Sequence, residues 1–166
     1  LAPFSAAAYY FGKNIQEKLN VPVGLIGSYW GGSRIEAWIP EEEYKAAAFY
    51  QTECSQHPTV NRSIGHFYKS MIEPLAPYTL RGAIWYQGES NWVYPYVYEK
   101  YLKTMVDGWR NLWGNQFAFH ICMIAPYIRG ANYPTNYANP AMRFVQAKTF
   151  SQIENSGITV NDDLVE

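Results

Sequence analysis

The sequence predicts an α/β fold in which helices pack on a doubly wound parallel sheet. Two observations lead to this fold class: short apolar runs typical of buried strands alternate with longer stretches of helical periodicity, and polar residues follow the strand-like runs directly, as in sheets that bind ligands at the carboxyl ends of their strands. With 166 residues, of which 48% are hydrophobic, the chain has the length and apolar content of one domain.

The first 80 residues contain three stretches with helical periodicity and one strand-like run. Asn20 and Pro22 end the first helical stretch, and Pro40 with three glutamates opens the second, as the helix dipole favours. The predicted elements are a helix over 4–19, a strand over 23–28, a short helix over 40–50, a loop over 51–61 and a helix over 63–75.

The second half alternates more regularly between strands and helices. Its predicted elements are a strand over 81–86, a loop over 87–95, a helix over 96–113, a strand over 117–125 with both faces covered, a loop over 130–139, a helix that opens at Pro140 and a strand over 157–160. Right-handed crossovers then give four visible parallel strands. In the flavodoxin-like order 2-1-3-4-5 these are the second to fifth strands, and a first strand from outside the sequence is expected between 23–28 and 81–86.

Composition excludes several classes of function. Thirteen basic and fourteen acidic residues leave almost no net charge, and no basic stripe favours a nucleic-acid partner. No stretch approaches the roughly 20 apolar residues of a transmembrane helix. Cys54 and Cys122 occur in unlike contexts and are predicted to be free thiols, and no grouping of residues predicts a metal or cofactor site. The sequence leaves the oligomeric state open.

The ends of two predicted strands are the first places to look for chemistry. Gly31 and Gly32 follow the strand over 23–28, and glycines allow a peptide N–H to approach a ligand closely. Gln87 ends the apolar run over 81–86 in the same manner. On the glycine pair alone, a tight turn without a ligand is the simpler interpretation.

Two long motifs change that interpretation. The segments Ser28-Tyr29-Trp30-Gly31-Gly32-Ser33-Arg34-Ile35-Glu36-Ala37-Trp38 and Arg81-Gly82-Ala83-Ile84-Trp85-Tyr86-Gln87-Gly88-Glu89-Ser90-Asn91 together resemble the sialate O-acetylesterase family of SGNH-type carbohydrate esterases. Shorter matches over 67–75, 109–114 and 124–127 extend the resemblance over most of the chain. It implies that residues 1–166 form part of an SGNH hydrolase domain that removes acetyl groups from sugars, either sialic acid or a polysaccharide, without a cofactor.

The same resemblance implies that catalytic residues lie elsewhere. The family's Gly-Gln-Ser-Asn block carries the nucleophilic serine and its Asp-x-x-His block carries the base, and neither block occurs in the sequence. The chain is therefore expected to be an internal fragment that lacks the first strand, folds poorly in isolation and is inactive by itself. The family's substrates favour a secreted or periplasmic location.

The chain does offer groups that can stabilise an oxyanion, which ester hydrolysis requires. Gly32 is expected to donate a backbone N–H and Gln87 a side-chain N–H, with Gly31 as the alternative glycine. Glu89 is expected either to orient neighbours, such as Arg34 or loop backbone, or to have a plain structural role.

The remaining motif residues fall on the substrate side. Trp30, Arg34 and Asn91 are expected to contact the acetylated carbohydrate, whereas Ser90 lacks the surroundings of a nucleophile elbow and is predicted to be a loop hydroxyl. The three histidines have no aspartate at the family's spacing and are predicted to be structural or exposed; they are His57, His66 and His120.

Two other functions fit the same sequence. A noncatalytic carbohydrate-binding protein or degenerate homologue would use the aromatic-rich loops to hold sugar without hydrolysing it. An esterase of the same fold that acts on lipid or aryl esters is the second alternative, because a fold alone does not decide the substrate.

Overall fold

The computed structural model of the chain describes residues 4–50, 64–92, 94–126 and 138–162. The chain forms two compact units, Leu1–Gly31 and Gly32–Glu166. The first unit contains helix α1 (Ala6–Leu19), and the second contains α2 (Glu41–Ala46), α3 (Pro95–Trp113), α4 (Ala138–Phe150), β1 (Gly82–Tyr86), β2 (Ala118–Cys122) and β3 (Ser156–Thr159). None of the helices in these ranges combines the length and the apolarity that crossing a membrane requires.

Helix α1 ends where the sequence predicts and begins two residues after the predicted start at residue 4. The Ser5 hydroxyl accepts a hydrogen bond from the Ala8 N–H at 3.3 Å and caps the amino end. Asn20 adopts a left-handed conformation with φ 52° and donates its N–H to the Gln16 carbonyl, which ends the helix. Within the first unit, Gly12 is the buried residue of this helix and packs against the Leu25 side chain.

The predicted strand over 23–28 is wrong. These residues have no regular secondary structure, and Leu25 and Ile26 are exposed. An apolar run becomes a strand only when a neighbouring strand pairs with its N–H and C=O groups, and no such pairing involves 23–28 among the described residues. Consequently the described sheet has three strands rather than the four that the sequence predicts.

The three strands confirm the α/β class and its parallel sheet. They lie in the order β1-β2-β3 and both pairs are parallel, with Trp85 opposite Ile121 and Ile121 opposite Ile158. Helix α3 connects β1 to β2, and α4 lies between β2 and β3 in the chain. This order matches the last three strands of the predicted arrangement.

One face of the sheet carries the core of the second unit. Trp85, Phe119 and Ile121 are buried on that face, together with the inward residues of α3 and α4, among them Tyr98, Leu102, Met105, Trp109, Met142 and Val145. The opposite face is more open, since Ile84 and Tyr86 are 40% and 52% exposed. The expectation that the strand over 117–125 is covered on both faces is therefore wrong for β2, whose Ala118 is exposed.

The predicted helix over 63–75 has an unusual form. Tyr68–Ile72 is a π-helix and Glu73–Leu75 is a 3-10 helix. Pro74 has no N–H and cannot continue an α-helical ladder, which accounts for the change of helical type at this point. The inward face is nevertheless confirmed, because Ile72 is 4% exposed and its apolar neighbours pack against the core.

Helix α3 contacts the segment over 38–40, which leads into α2. The Trp109 indole donates a hydrogen bond to the Trp38 carbonyl at 2.9 Å. One residue earlier, Gly108 lies so close to the Pro40 ring that an added Cβ would be 2.6 Å from Pro40 Cγ. Glycine is therefore needed within this helix for packing, although it lowers helix propensity.

We expect Gly108→Ala to lower the free energy of unfolding by about 1–2 kcal/mol, because the clash with the proline ring outweighs the gain in helix propensity. Urea denaturation followed by tryptophan fluorescence measures the change. Thr104→Ala is the matched control, since it adds alanine to the same helix without this contact and should leave stability unchanged or slightly higher. A stabilised Gly108→Ala variant would contradict the packing argument.

Candidate active site

A buried polar network lies at the carboxyl end of β1. Four of its members are almost fully enclosed: Glu36 is 3% exposed, Gln87 8%, Asn91 6% and Gln146 0%. They come from four segments, namely the 3-10 helix Ile35–Trp38, the strand end, the 3-10 helix Glu89–Asn91 and α4. Buried polar groups need partners to offset their lost hydration, and these residues bond to one another.

The side-chain amide of Gln87 is the centre of the network. Its Nε2 donates to the Ser33 carbonyl at 3.0 Å and to Asn91 Oδ1 at 2.8 Å. Its Oε1 accepts from the Tyr98 hydroxyl at 2.9 Å. Both amide hydrogens of Gln87 therefore have acceptors inside the protein.

Asn91 connects Gln87 to a buried carboxylate. Asn91 Nδ2 donates to Glu36 Oε2 at 2.8 Å, and its Oδ1 also accepts from the Ile35 N–H at 3.0 Å. Burial raises the pKa of the Glu36 carboxyl group above its usual range, and the Asn91 hydrogen bond and the nearby Arg34 charge offset only part of that effect. The turn over 35–38 and the loop over 88–91 are thus joined by side chains.

Tyr98 supports the same strand end from α3. Its hydroxyl accepts from Trp85 Nε1 at 3.2 Å and lies 3.0 Å from the Gln87 carbonyl as well as beside its side-chain oxygen. Complete burial is the main reason that the pKa of Tyr98 is raised, so the group stays a neutral hydrogen-bond donor. Tyr98 therefore keeps its hydroxyl hydrogen for the network at neutral pH.

Gly32 lies beside this network. It has φ 73°, and no atom comes within 4 Å of the position that a Cβ would occupy. The Ser90 hydroxyl donates to the Gly32 carbonyl at 3.0 Å, while Gln87 holds the carbonyl of the next residue, Ser33. Among the described residues no acceptor pairs with the Gly32 N–H. The structure thus brings together the two residues that the sequence selects first, Gly32 and Gln87.

The other predicted site residues are distributed differently. Gly31 and Trp30 belong to the first unit, where the Trp30 side chain is 62% exposed. Asn91, predicted to contact substrate, is buried, and its side chain bonds within the protein. Glu89 is half-buried, and in the described part of the chain it has no hydrogen bond or ion pair to Arg34 or to loop backbone.

The remaining candidates lie outside the network. The Ser90 hydroxyl bonds to a loop carbonyl, as the sequence predicts for this residue. His66 is exposed and His120 pairs with the Thr159 hydroxyl, while His57 lies outside the described residues. Cys122 is a free thiol, and Cys54 also falls outside the described ranges. Within those ranges no group of three His, Cys, Asp or Glu side chains could hold a metal ion.

Sequence reasoning missed three members of the network. Glu36, Tyr98 and Gln146 occur in stretches that were interpreted as motif context or helix interior. A charged residue between Ile35 and Ala37, in a segment that is otherwise apolar, was the one available signal for Glu36. Nothing in the periodicity of α3 or α4 distinguishes Tyr98 or Gln146 from neighbouring core positions.

Comparison with known proteins agrees with the resemblance. Residues 5–165 match the profile of a family described as carbohydrate esterase, sialic acid-specific acetylesterase. The chain belongs to this family. Sialate O-acetylesterases of this kind from Homo sapiens and Pongo abelii are each 30% identical to it over 162 residues, which is 91% of this chain and 31% of the relative.

A solved structure of an esterase shares the fold. A carbohydrate acetylesterase from Xanthomonas citri superimposes with a TM-score of 0.79 and 29% identity, over 95% of this chain and 34% of that protein. The chain therefore spans about a third of the length of the family members that it matches. The α/β fold and the sialate O-acetylesterase resemblance predicted from the sequence are both confirmed.

We expect Tyr98→Phe to lower the free energy of unfolding by about 1–3 kcal/mol, because it leaves the buried Trp85 N–H and Gln87 Oε1 without a partner. Chemical denaturation measures the loss. Tyr96→Phe, two residues away on the same helix and 60% exposed, is the matched control and should be neutral. Equal effects of the two changes would show that the hydroxyl of Tyr98 does not support the network.

Glu36→Gln should change how stability depends on pH. Because the folded-state pKa of Glu36 is raised, the folded state binds more protons than the unfolded state between the unfolded pKa of about 4.3 and the raised value. The contribution of Glu36 to stability is therefore full below pH 4.3 and is lost as the pH rises through the folded pKa. As the pH rises across this window, the free energy of unfolding of the glutamine variant should increase relative to that of the wild type. A difference that is constant with pH in paired urea titrations would contradict the assignment.

Proposed function

We propose that this chain supplies the oxyanion-binding side of an esterase that removes acetyl groups from sugar hydroxyls. Membership of the carbohydrate esterase family supports the reaction class. The observation that carries the proposal is the Gly32 N–H, which has no acceptor among the described residues and belongs to a loop held by Ser90 and Gln87. A donor that is fixed before the reaction and has no partner is what a developing oxyanion needs.

The reaction is a two-step acyl transfer. A serine hydroxyl adds to the acetyl carbonyl while a histidine takes its proton, and the carbonyl oxygen gains the negative charge that the donors stabilise. When this intermediate collapses, the bond between the acetyl carbon and the sugar oxygen breaks, and the histidine returns its proton to that oxygen so that the sugar leaves as a neutral alcohol. Water, deprotonated by the histidine, then attacks the acyl-enzyme and releases acetate and the free serine. We assign the serine and the histidine to residues outside the present sequence, because it contains neither of the family's two catalytic blocks.

Gln87 can stabilise the negative charge of the oxyanion in one of two ways. Its two amide hydrogens already bond to Ser33 and Asn91, so direct donation to an oxyanion requires that one of these bonds be exchanged. Without that exchange, Gln87 acts by fixing the Ser33 carbonyl, and hence the Ser33–Arg34 peptide, one residue after Gly32. Gly31 stays the alternative backbone donor. In either mode the loss of the Gln87 amide weakens stabilisation of the transition state.

The substrate we propose is an acetylated carbohydrate. Trp30 is 62% exposed, and we propose that this aromatic side chain stacks on a ring of the sugar. Arg34 is half-buried and supplies a cation two residues from Gly32 in the chain. We leave Asn91 out of the substrate contacts, because its amide already bonds to Gln87, Glu36 and Ile35.

The test measures acetate released from acetylated sugars by the full-length protein and by its Gln87→Ala variant. We expect kcat to fall by about 10²–10³-fold, the usual effect of removing one oxyanion donor. Gln152→Ala is the matched control, since that glutamine bonds to Glu99 on the surface of the same unit. Circular dichroism spectra of the variants check that both remain folded.

Three outcomes would contradict this proposal. Binding of acetylated sugar without acetate release by the wild type would identify a carbohydrate-binding protein. Faster turnover of long-chain 4-nitrophenyl esters than of acetylated sugars would identify a lipid or aryl esterase. Full activity of Gln87→Ala would remove Gln87 from the site.

A further inference from the structure

Gln146 bridges the two strand ends next to the candidate site. It lies on α4, is fully buried, and donates from Nε2 to the Gln87 carbonyl at 2.8 Å. Its Oε1 accepts from the Ile124 N–H at 3.1 Å. Gln87 follows β1 directly and Ile124 follows β2 by two residues. One side-chain amide thus joins backbone groups of both strands.

The position of this bridge is where the pairing of β1 with β2 stops. The β1–β2 register ends with Tyr86 opposite Cys122, although the Met123 N–H still bonds to the Thr159 carbonyl of β3 at 3.0 Å. Gln146 bonds to a carbonyl and an N–H that have no partner in the β1–β2 ladder, and it shares the Gln87 carbonyl with the Tyr98 hydroxyl. The Ile124 N–H has the Gln146 side-chain oxygen as its acceptor.

Gln146 also fits tightly against the turn that follows Gln87. Gly88 has φ 155°, and a Cβ at this position would lie 3.2 Å from Gln146 Nε2 and 2.9 Å from Ile124 Cγ2. The Gln146 side chain therefore restricts the backbone position of the turn after β1. Gln87, whose side chain belongs to the buried network, is the residue just before this turn.

We propose that Gln146 is a positioning residue that sets the main-chain position of Gln87 in the acetylesterase reaction. This inference rests on the proposed function, because it assigns a kinetic role to a residue that contacts no substrate. Gln146 acts through the Gln87 carbonyl, which Tyr98 also contacts at 3.0 Å. Displacements of about 1 Å at a reacting group can cost about 10²-fold in rate.

Two substitutions of similar length separate the donor from the acceptor. Gln146→Met removes both hydrogen bonds, whereas Gln146→Glu keeps an acceptor for the Ile124 N–H and places an oxygen against the Gln87 carbonyl. Thr149→Val is the matched control, because Thr149 is equally buried on α4 but its hydroxyl bonds to the Val145 carbonyl of its own helix. Each variant is made in the full-length protein.

We expect both Gln146 variants to lower kcat for acetate release by about 10²-fold with KM changed less than threefold, and Thr149→Val to stay within about twofold of wild type. The double variant Gln146→Met with Gln87→Ala should have a kcat only slightly below that of Gln87→Ala alone, since both changes act on one group. In the double variant Thr149→Val with Gln87→Ala, the effects of the two changes on kcat should be additive in free energy. Additive losses for Gln146 and Gln87, or a Gln146→Met variant as active as Thr149→Val, would overturn the inference.

Hydrogen exchange tests the bridge without reference to activity. The Ile124 amide should exchange faster in Gln146→Met, while Gln146→Glu and Thr149→Val should retain its protection. If the wild type releases no acetate, the proposed function fails and the kinetic role of Gln146 fails with it. If the wild type is active and Ile124 protection is the same in all variants, the bridge is refuted while the proposed function stands.

Discussion

The arrangement of the loops at the end of β1 depends on the hydrogen bonds of the buried Gln87 amide. An amide that is removed from water is costly unless each of its polar atoms finds a partner. Here Nε2 has two acceptors, the backbone carbonyl of the same residue accepts from Gln146 Nε2, and the single Tyr98 O–H is shared between that carbonyl and Oε1. The loops around the end of β1 are therefore held in one geometry by hydrogen bonding rather than by apolar packing alone.

The partners of Gln87 come from distant parts of the chain. Ser33 is 54 residues away in the chain and Gln146 is 59, so the network forms only when the sheet and its helices are in place. Hydrogen-bonded groups in a low-dielectric interior strengthen one another. Removal of one member leaves several others unsatisfied, and we infer that the site and the fold of the second unit share their stability.

The sequence predicted the regular elements better than it predicted their contacts. Helices over 4–19 and 96–113 were found because their apolar periodicity is strong, and the strand over 81–86 because its short apolar run ends abruptly in polar residues. The strand over 23–28 was predicted from apolarity alone, which does not report whether a pairing partner exists. The stretch over 63–75 was predicted as one helix, whereas the chain passes through a π-helix and a 3-10 helix there.

The same limit applies to the site. Gly32 and Gln87 were selected because ligands bind beyond strand ends and because two motifs resemble one family. Tyr98 and Gln146 could not be selected, since a polar residue on the inner face of a helix is recognised only when its partner is known. Glu36 illustrates the point: its significance lies in the Asn91 amide, 55 residues away in the chain.

Glu36 also limits how the site can handle negative charge. A buried carboxylate opposes the formation of an oxyanion nearby, because like charges repel strongly where water is excluded. Two neutral amides, those of Asn91 and Gln87, separate Glu36 from the loop of Gly32. Arg34 lies close enough for its charge to favour the ionised form of Glu36, and it offsets part of the negative charge. Glu36 therefore acts as a structural acceptor for the Asn91 amide, and its burial, which raises its pKa, favours the neutral form that adds no negative charge near the Gly32 loop.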